Sequence, residues 1–168
     1  MTRFVIVGCG SAKRDPALEP GTLRPKRWEA RELYTSTYFA KKFRYAEEIG
    51  DQQAILSAEH GLLYPWERIE PYDTSIDDLD DAELEGWADL VITELEEWTS
   101  WELSNGTDEI DVEILAGQSY LEPLRSTLDL IRGPITFSYP FDETSGIGDQ
   151  LAWLTERIEA AETDGDRR

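Results

Sequence analysis

The sequence predicts a single α/β domain: a mainly parallel sheet of four to five strands flanked by helices. Three observations lead there. Short apolar runs alternate along the chain with longer stretches of helical periodicity. The first run, Phe4-Val5-Ile6-Val7, carries no charge, as expected of a strand buried on both faces of a parallel sheet. The runs also end in polar, glycine-containing clusters, and in open parallel sheets ligands sit outside the carboxyl ends of the strands. With 168 residues, no internal repeat and no linker composition, the domain is expected over residues 1–162, followed by a polar tail over residues 163–168.

The first strand breaks into Gly8-Cys9-Gly10-Ser11-Ala12-Lys13, a tight turn carrying a thiol, a hydroxyl and an ammonium. Gly8 and Gly10 allow a sharp turn and a close backbone approach to a ligand. Residues 14–27 read as a loop rich in proline and charge. It is locally cationic, with Arg14, Arg24, Lys26 and Arg27 against Asp15 and Glu19, which suits either a cover over an anionic ligand or salt bridges to an acidic surface.

Residues 28–49 read as mostly helical, ending at Gly50, although the apolar positions are diffuse around the wheel. Thr35-Ser36-Thr37 are weak helix formers, so an alternative start lies there. Residues 33–39 then become a loop and cap whose hydroxyls, Tyr34 and Ser36 among them, are free to bind a ligand. A second strand over residues 53–56 runs into Ser57-Ala58-Glu59-His60-Gly61, placing Glu59 and His60 at a strand end. Residues 65–72 read as an ordered loop with aromatic anchors, and Tyr72 and Asp73 offer a ring and a carboxylate to a nearby pocket.

An acidic entry over residues 77–81 precedes a long helix with Leu84, Trp87, Val91, Leu95 and Trp98 on one stripe, a core face. A turn is expected over residues 104–107 and a third strand over residues 112–116. Gly117-Gln118-Ser119-Tyr120 follows, with Gln118 and Tyr120 able to meet a ligand's polar edge and Ser119 able to cap a helix over residues 121–131. A fourth strand over residues 135–139 leads through Gly146-x-Gly148, a pattern like an amide cradle for an anion, into a last helix over residues 149–162.

Composition narrows the chemistry. Cys9 is the only cysteine and His60 the only histidine, which excludes an internal disulfide, a cysteine-cluster zinc site and a histidine-rich metal centre. No metal site is expected from the scattered carboxylates, and no cofactor is expected. No secretory segment or membrane-spanning run is legible, so a cytoplasmic protein without membrane partners is expected. The net charge of −20 fits the hydrated acidic coat of a halophile protein. Such a field repels phosphate backbones at low salt but is screened at molar salt, where the Debye length is about 3 Å. Any phosphate site must then be made locally from cations and backbone amides.

Four blocks carry a resemblance: Val7-Gly8-Cys9-Gly10-Ser11-Ala12-Lys13, Ala30-Arg31-Glu32-Leu33-Tyr34-Thr35-Ser36 with Phe39, Ile55-Leu56-Ser57-Ala58-Glu59-His60-Gly61-Leu62-Leu63, and Pro71-Tyr72-Asp73. In this order the chain resembles an uncharacterised, DUF6884-like domain family of archaea, bacteria and phages. The similarity is close over the first half and looser over residues 146–154. More distantly, Cys9, Lys13, Tyr34 and Ser36 echo the order of cysteine, lysine, tyrosine and serine in the catalytic core of archaeosine synthase. Arg14-Asp15 after the lysine, and the long loop before the tyrosine, depart from that pattern. Related small α/β domains also resemble uracil-DNA glycosylases. These likenesses imply a nucleobase as the object of the chemistry.

The expected function is an enzyme acting on a nucleobase, a nucleotide or modified nucleic acid. Lys13 serves as nucleophile or as cation at a developing negative charge, and Glu59 or His60 handles protons. Tyr34, Ser36 and Tyr72 position the ligand, with Gly8, Cys9, Gly10, Ser11, Ser57, Gln118, Gly146 and Gly148 completing the binding surface. The alternatives are a non-catalytic nucleotide- or base-binding module and an acidic interaction protein.

Overall fold

The computed structural model describes residues 1–165. Strand β1 (Thr2–Gly8) lies in the middle of the sheet and is buried from Phe4 onward. Its side chains alternate: Phe4 and Ile6 enter one apolar core, Val5 and Val7 the other. The cationic segment that follows is folded, not loose. Glu19 N–H donates to Arg24 O at 2.9 Å and Lys26 N–H to Ala17 O at 2.8 Å. Lys26 sits over the Trp28 ring, and Arg27 lies 3.5 Å from Glu70.

The long helix expected from residue 28 is instead three pieces. Residues Trp28–Glu29 form β2, Ala30–Leu33 a single helical turn, α1, and Thr37–Ile49 the helix α2. The later start is the one found because the Ser36 hydroxyl accepts from Phe39 N–H at 3.0 Å and caps α2. Counted from Thr37, the apolar pattern is no longer diffuse: Phe39, Phe43 and Ala46 share the buried side with Lys42.

Strand β3 (Gln52–Ser57) lies parallel to β1. A turn over residues 58–60 leads to β4 (Gly61–Leu63), antiparallel to β3 at the sheet's edge. Three residues are too few to show a strand period, so nothing in the sequence announced β4. Gly61 has φ +72°, and a Cβ there would lie 3.0 Å from Glu94 Oε2 and 3.1 Å from Leu90 Cδ2, so glycine suits the position doubly. The Leu62 N–H, on the open edge, donates to Glu94 Oε2 at 2.9 Å. The segment expected as an aromatic loop contains β5 (Arg68–Ile69), paired antiparallel with β2.

Helix α3 (Asp81–Ser104) starts at a capping box between Asp80 and Glu83. Trp87, Val91, Leu95 and Trp98 are buried on its core stripe as expected, joined by Ala88 and Ile92, while Leu84 is only partly buried. Strand β6 (Ile110–Leu115) lies on the other side of β1. Helix α4 (Gln118–Leu128) begins three residues before the expected start and stops short of residue 131. Gly117, not Ser119, is its cap: the Gly117 carbonyl accepts from Tyr120 and Leu121 N–H. Strand β7 (Ile135–Ser138) pairs parallel with β6, and a short turn, Pro140–Glu143, precedes α5 (Ile147–Gly165). Residues 163–165, expected in a polar tail, continue this helix; the rest of that tail, residues 166–168, lies outside the described residues.

The sheet order is β4-β3-β1-β6-β7, parallel except for β4, so the fold is α/β with a mainly parallel five-stranded sheet. Helices α2 and α5 cover one face through Phe39, Phe43, Leu154 and Ile158. Helices α3 and α4 cover the other through Trp87, Leu95, Leu121 and Leu124. Large side chains fully withdrawn from water here, such as Phe4, Ile6 and Leu95, each contribute about 1.5–3 kcal/mol. The chain steps from β1 to β3 and then crosses back over β1 to β6. That reversal opens a crevice between the carboxyl ends of β1 and β6, the usual ligand position in such sheets. Close strand approach there leaves little room beside Gly8, whose Cβ would lie 3.2 Å from Ala116 Cβ.

Candidate functional site at the strand ends

At the end of β3, the Ser57 side chain is wholly buried and its Oγ accepts from Glu59 N–H at 3.2 Å and His60 N–H at 3.1 Å. This shapes the turn that presents both residues. The same Oγ lies 2.7 Å from Tyr72 Oη, which lies 2.6 Å from Tyr34 Oη. Burial pushes both phenols above the ordinary tyrosine range, so they stay protonated and the three oxygens form a continuous chain of hydrogen bonds.

The turn after β1 is laid against this chain by its backbone. Arg14 N–H donates to Leu33 O at 2.9 Å and Thr35 N–H to Ala12 O at 3.0 Å, with Lys13 and Tyr34 as facing residues. Lys13 Nζ then stands 4.4 Å from the Tyr72 ring centroid and 5.8 Å from that of Tyr34, and it donates to Ser11 O at 3.4 Å. The His60 ring meets Tyr72 edge-on, with centroids 5.3 Å apart. The Glu59 carboxylate accepts from the Thr74 hydroxyl. The structure therefore brings Lys13, Tyr34, Ser57, Glu59, His60 and Tyr72 together around one tyrosine ring, from segments on both sides of the long cationic loop.

His60 also forms a wall between two clefts. One, of about 360 Å³, is lined by Arg27, Glu59, Arg68, Glu70 and Tyr72. The other, of about 630 Å³, runs along β4 past Tyr64, Trp66, Glu67, Glu94 and Trp101.

A second group lies at the β1–β6 crevice. Cys9 N–H donates to Leu56 O at 2.9 Å, and Cys9 Sγ is 3.1 Å from Tyr120 Oη. Below it lies Lys42, a residue that sequence reasoning missed. Its side chain is buried, its Nζ donates to Gly8 O at 2.7 Å, and it lies 4.4 Å from the Tyr38 ring centroid. Burial pushes the Lys42 ammonium down to about 8, an effect that the neighbouring Cys9 partly offsets. The signal for Lys42 was its position: it falls three residues after Phe39 and four before Ala46, on the apolar stripe of α2.

The other expected binding residues are placed differently. Ser36 is engaged as the α2 cap, and Gly10 lies beside it, since a Cβ on Gly10 would be 3.4 Å from Ser36 Oγ. Ser11 is exposed and meets Lys13 through its carbonyl. The Gln118 amide donates to Asp142 Oδ1 at 3.0 Å, while Arg125 donates to Asp142 Oδ2 at 2.7 Å and holds the Asp142 carboxyl below its ordinary range. Gly146 and Gly148 flank the start of α5, where the Asp149 carboxylate accepts from Ser145 N–H and Oγ and so occupies donors an anion would use. That region is linked to α2 by a hydrogen bond from Tyr38 to Gln150. Gln118, Gly146 and Gly148 thus belong to the β6–α5 side and not to the Tyr72 cluster. Among the described residues, no three His, Cys, Asp or Glu side chains gather as a metal-holding group, and no helix is long and apolar enough to cross a membrane.

A doubly wound α/β domain with a polar, aromatic cluster at the carboxyl ends of its parallel strands is the class this fold and site define. The chain belongs to the Family of unknown function (DUF6884), whose profile matches residues 4–156, from β1 into α5. No curated protein and no solved structure matches it.

Proposed function

We propose that the protein is an enzyme acting on a nucleobase-bearing ligand, free or within a nucleotide or modified nucleic acid, bound where Lys13 and His60 meet Tyr72. The observation that carries this reading is the meeting itself: an ammonium and an imidazole, 47 positions apart in the chain, both rest on one phenol ring. Tyr72 is fixed by the Tyr34–Tyr72–Ser57 chain, so the two groups are held without being locked to each other. An ammonium suits negative charge that develops on a base's carbonyl or ring nitrogen. Imidazole gives and takes protons near neutral pH, and Glu59 lines the same cleft as His60. Arg27 and Arg68 line the adjoining cleft together with Glu59 and Glu70, with Arg27 3.5 Å from Glu70, so a phosphate there would have to compete with a carboxylate for Arg27. The acidic coat suits a concentrated-salt cytoplasm, where screening lets an anionic ligand approach.

The experiment is a titration of nucleosides, nucleotides and short oligonucleotides into the protein in molar KCl. Binding is followed by chemical-shift changes at Tyr34, Tyr72 and His60, and products by mass spectrometry. Lys13→Ala and His60→Ala are each expected to cut turnover at least about tenfold. Turnover unchanged in both variants overturns the reading. Binding without turnover in the unmodified protein selects instead a base-binding module.

A further inference from the structure

The cleft of about 630 Å³ along β4 is lined by the carboxylates of Glu67, Glu94 and Glu97 and by no lysine or arginine. Among the described residues, none of these carboxylates belongs to an ion pair. Backbone amides fix two of them: Glu67 Oε1 accepts from Tyr64 N–H at 3.2 Å and Glu94 Oε2 from Leu62 N–H at 2.9 Å. Each keeps a second oxygen whose lone pairs can serve a ligand. Burial, and then the charges of Glu67 and Glu97, raise the Glu94 carboxyl against the pull of the Leu62 amide, so negative charge is crowded here.

The aromatic lining is a second, independent observation. Trp66 and Trp101 are 62% and 60% exposed, the only tryptophans so placed, and both line this cleft. Trp28 and Trp153, partly buried, each carry a cation of this chain on the ring, Lys26 at 5.0 Å and Arg157 at 4.9 Å. Among the described residues, Trp66 and Trp101 carry none. Tyr64 stacks on Trp66 with centroids 5.0 Å apart, which leaves one indole face for a partner. Indole faces attract cations through the ring quadrupole. Glu94, Glu97 and Trp101 follow one another along α3 over about 10 Å, at about 1.5 Å per residue. The segment between β4 and β5 adds Trp66 and Glu67. A compact metal ion suits neither the indoles nor carboxylates spread over that length, whereas methylenes bearing several ammonium groups suit both.

We propose that this cleft binds a linear aliphatic polyammonium ligand, with its ammonium groups on Glu67, Glu94 and Glu97 and its methylenes against Trp66 and Trp101. The site is separate from the cluster of Lys13 and Tyr72, from which the His60 wall divides it. It does not depend on the function proposed above.

The test titrates spermidine into the full chain at an ionic strength of about 0.1 M, where the Debye length is about 10 Å. Binding is read by calorimetry and by tryptophan fluorescence, and melting curves confirm the fold of each variant. Saturation at a single equivalent is expected. Trp66→Ala, Trp101→Ala and Glu97→Gln are each expected to weaken binding at least about threefold. Glu159→Gln removes the same charge from an exposed position on α5 and is expected to leave affinity unchanged. Equal losses in Glu97→Gln and Glu159→Gln, or uptake of many equivalents without saturation, reduce the effect to the diffuse field of an acidic chain and overturn the proposal. Magnesium binding as tightly as spermidine overturns it in favour of an inorganic cation. A short arginine peptide binding more tightly than spermidine overturns it in favour of a protein partner. Should Trp66→Ala or Trp101→Ala fail to fold, the two glutamate variants decide alone, since both positions are exposed. The assay contains no base ligand, so its outcome is independent of the Lys13 and His60 titrations.

Discussion

Ser57 concentrates more of the site than any other single atom group. Its hydroxyl oxygen, fully buried, serves two backbone amides and the Tyr72 phenol at once. Ser57→Ala leaves those two amides without a partner inside the protein and the Tyr72 phenol with Tyr34 alone, and each orphaned amide costs about 1–3 kcal/mol. The expected result is a loss of at least about 2 kcal/mol in urea unfolding, with altered chemical shifts at His60 but not at the far end of the sheet. A loss below about 0.5 kcal/mol contradicts the role described.

The helix α2 shows at the scale of an element how local chemistry and site overlap. Its N-cap is Ser36, which the sequence singled out for ligand binding and the structure engages in capping. Ser36→Ala is expected to lower stability by about 1 kcal/mol in thermal or urea unfolding. If Ser36 also touched the ligand, the variant would weaken binding beyond what its stability loss explains; the cap alone leaves affinity intact. The parallel strands were legible because each is an apolar run of the right length, and the core stripe of α3 because four aromatic and aliphatic positions keep helical spacing over the twelve residues from Trp87 to Trp98. The site was legible wherever polar residues follow such a run, as at Lys13 and at Glu59-His60. Strands β2, β4 and β5 were not, since two or three residues carry no period and their pairing is decided by distant segments. Lys42 was hidden for a related reason: with the helix start placed at residue 28, the stripe that would have exposed a lysine among apolar neighbours was blurred.

For the whole molecule, charge sets how stability varies with pH. Burial raises the carboxyls of Glu94 and Glu113, the latter despite a hydrogen bond of 2.5 Å from Tyr45. A carboxyl raised in the folded state binds its proton more readily folded than unfolded. Its stabilising effect therefore grows as pH falls through the folded value and is complete below the ordinary carboxyl range. Asp142, lowered by Arg125, works in the opposite sense and loses its contribution as pH falls through its own depressed value. At low salt, acidifying from pH 7 toward 5 is thus expected to raise the melting temperature, helped by relief of repulsion at a net charge of −20. The repulsive part should shrink in about 1 M KCl, where the Debye length is near 3 Å. A melting temperature that falls steadily from pH 7 to 5 at low salt contradicts this account.

The carboxylate that answers the Leu62 amide has a consequence beyond this chain. An uncovered sheet margin is a template on which a stranger's strand can extend the lattice of backbone bonds. Here the margin is three residues long, its outward donor is already occupied, and anionic neighbours repel copies of the same acidic chain. Protonating Glu94 removes its charge and weakens that guard, although the neutral carboxyl can still accept from the Leu62 amide, so the acid that tightens the individual molecule also lessens the repulsion along the flank where molecules can begin to join.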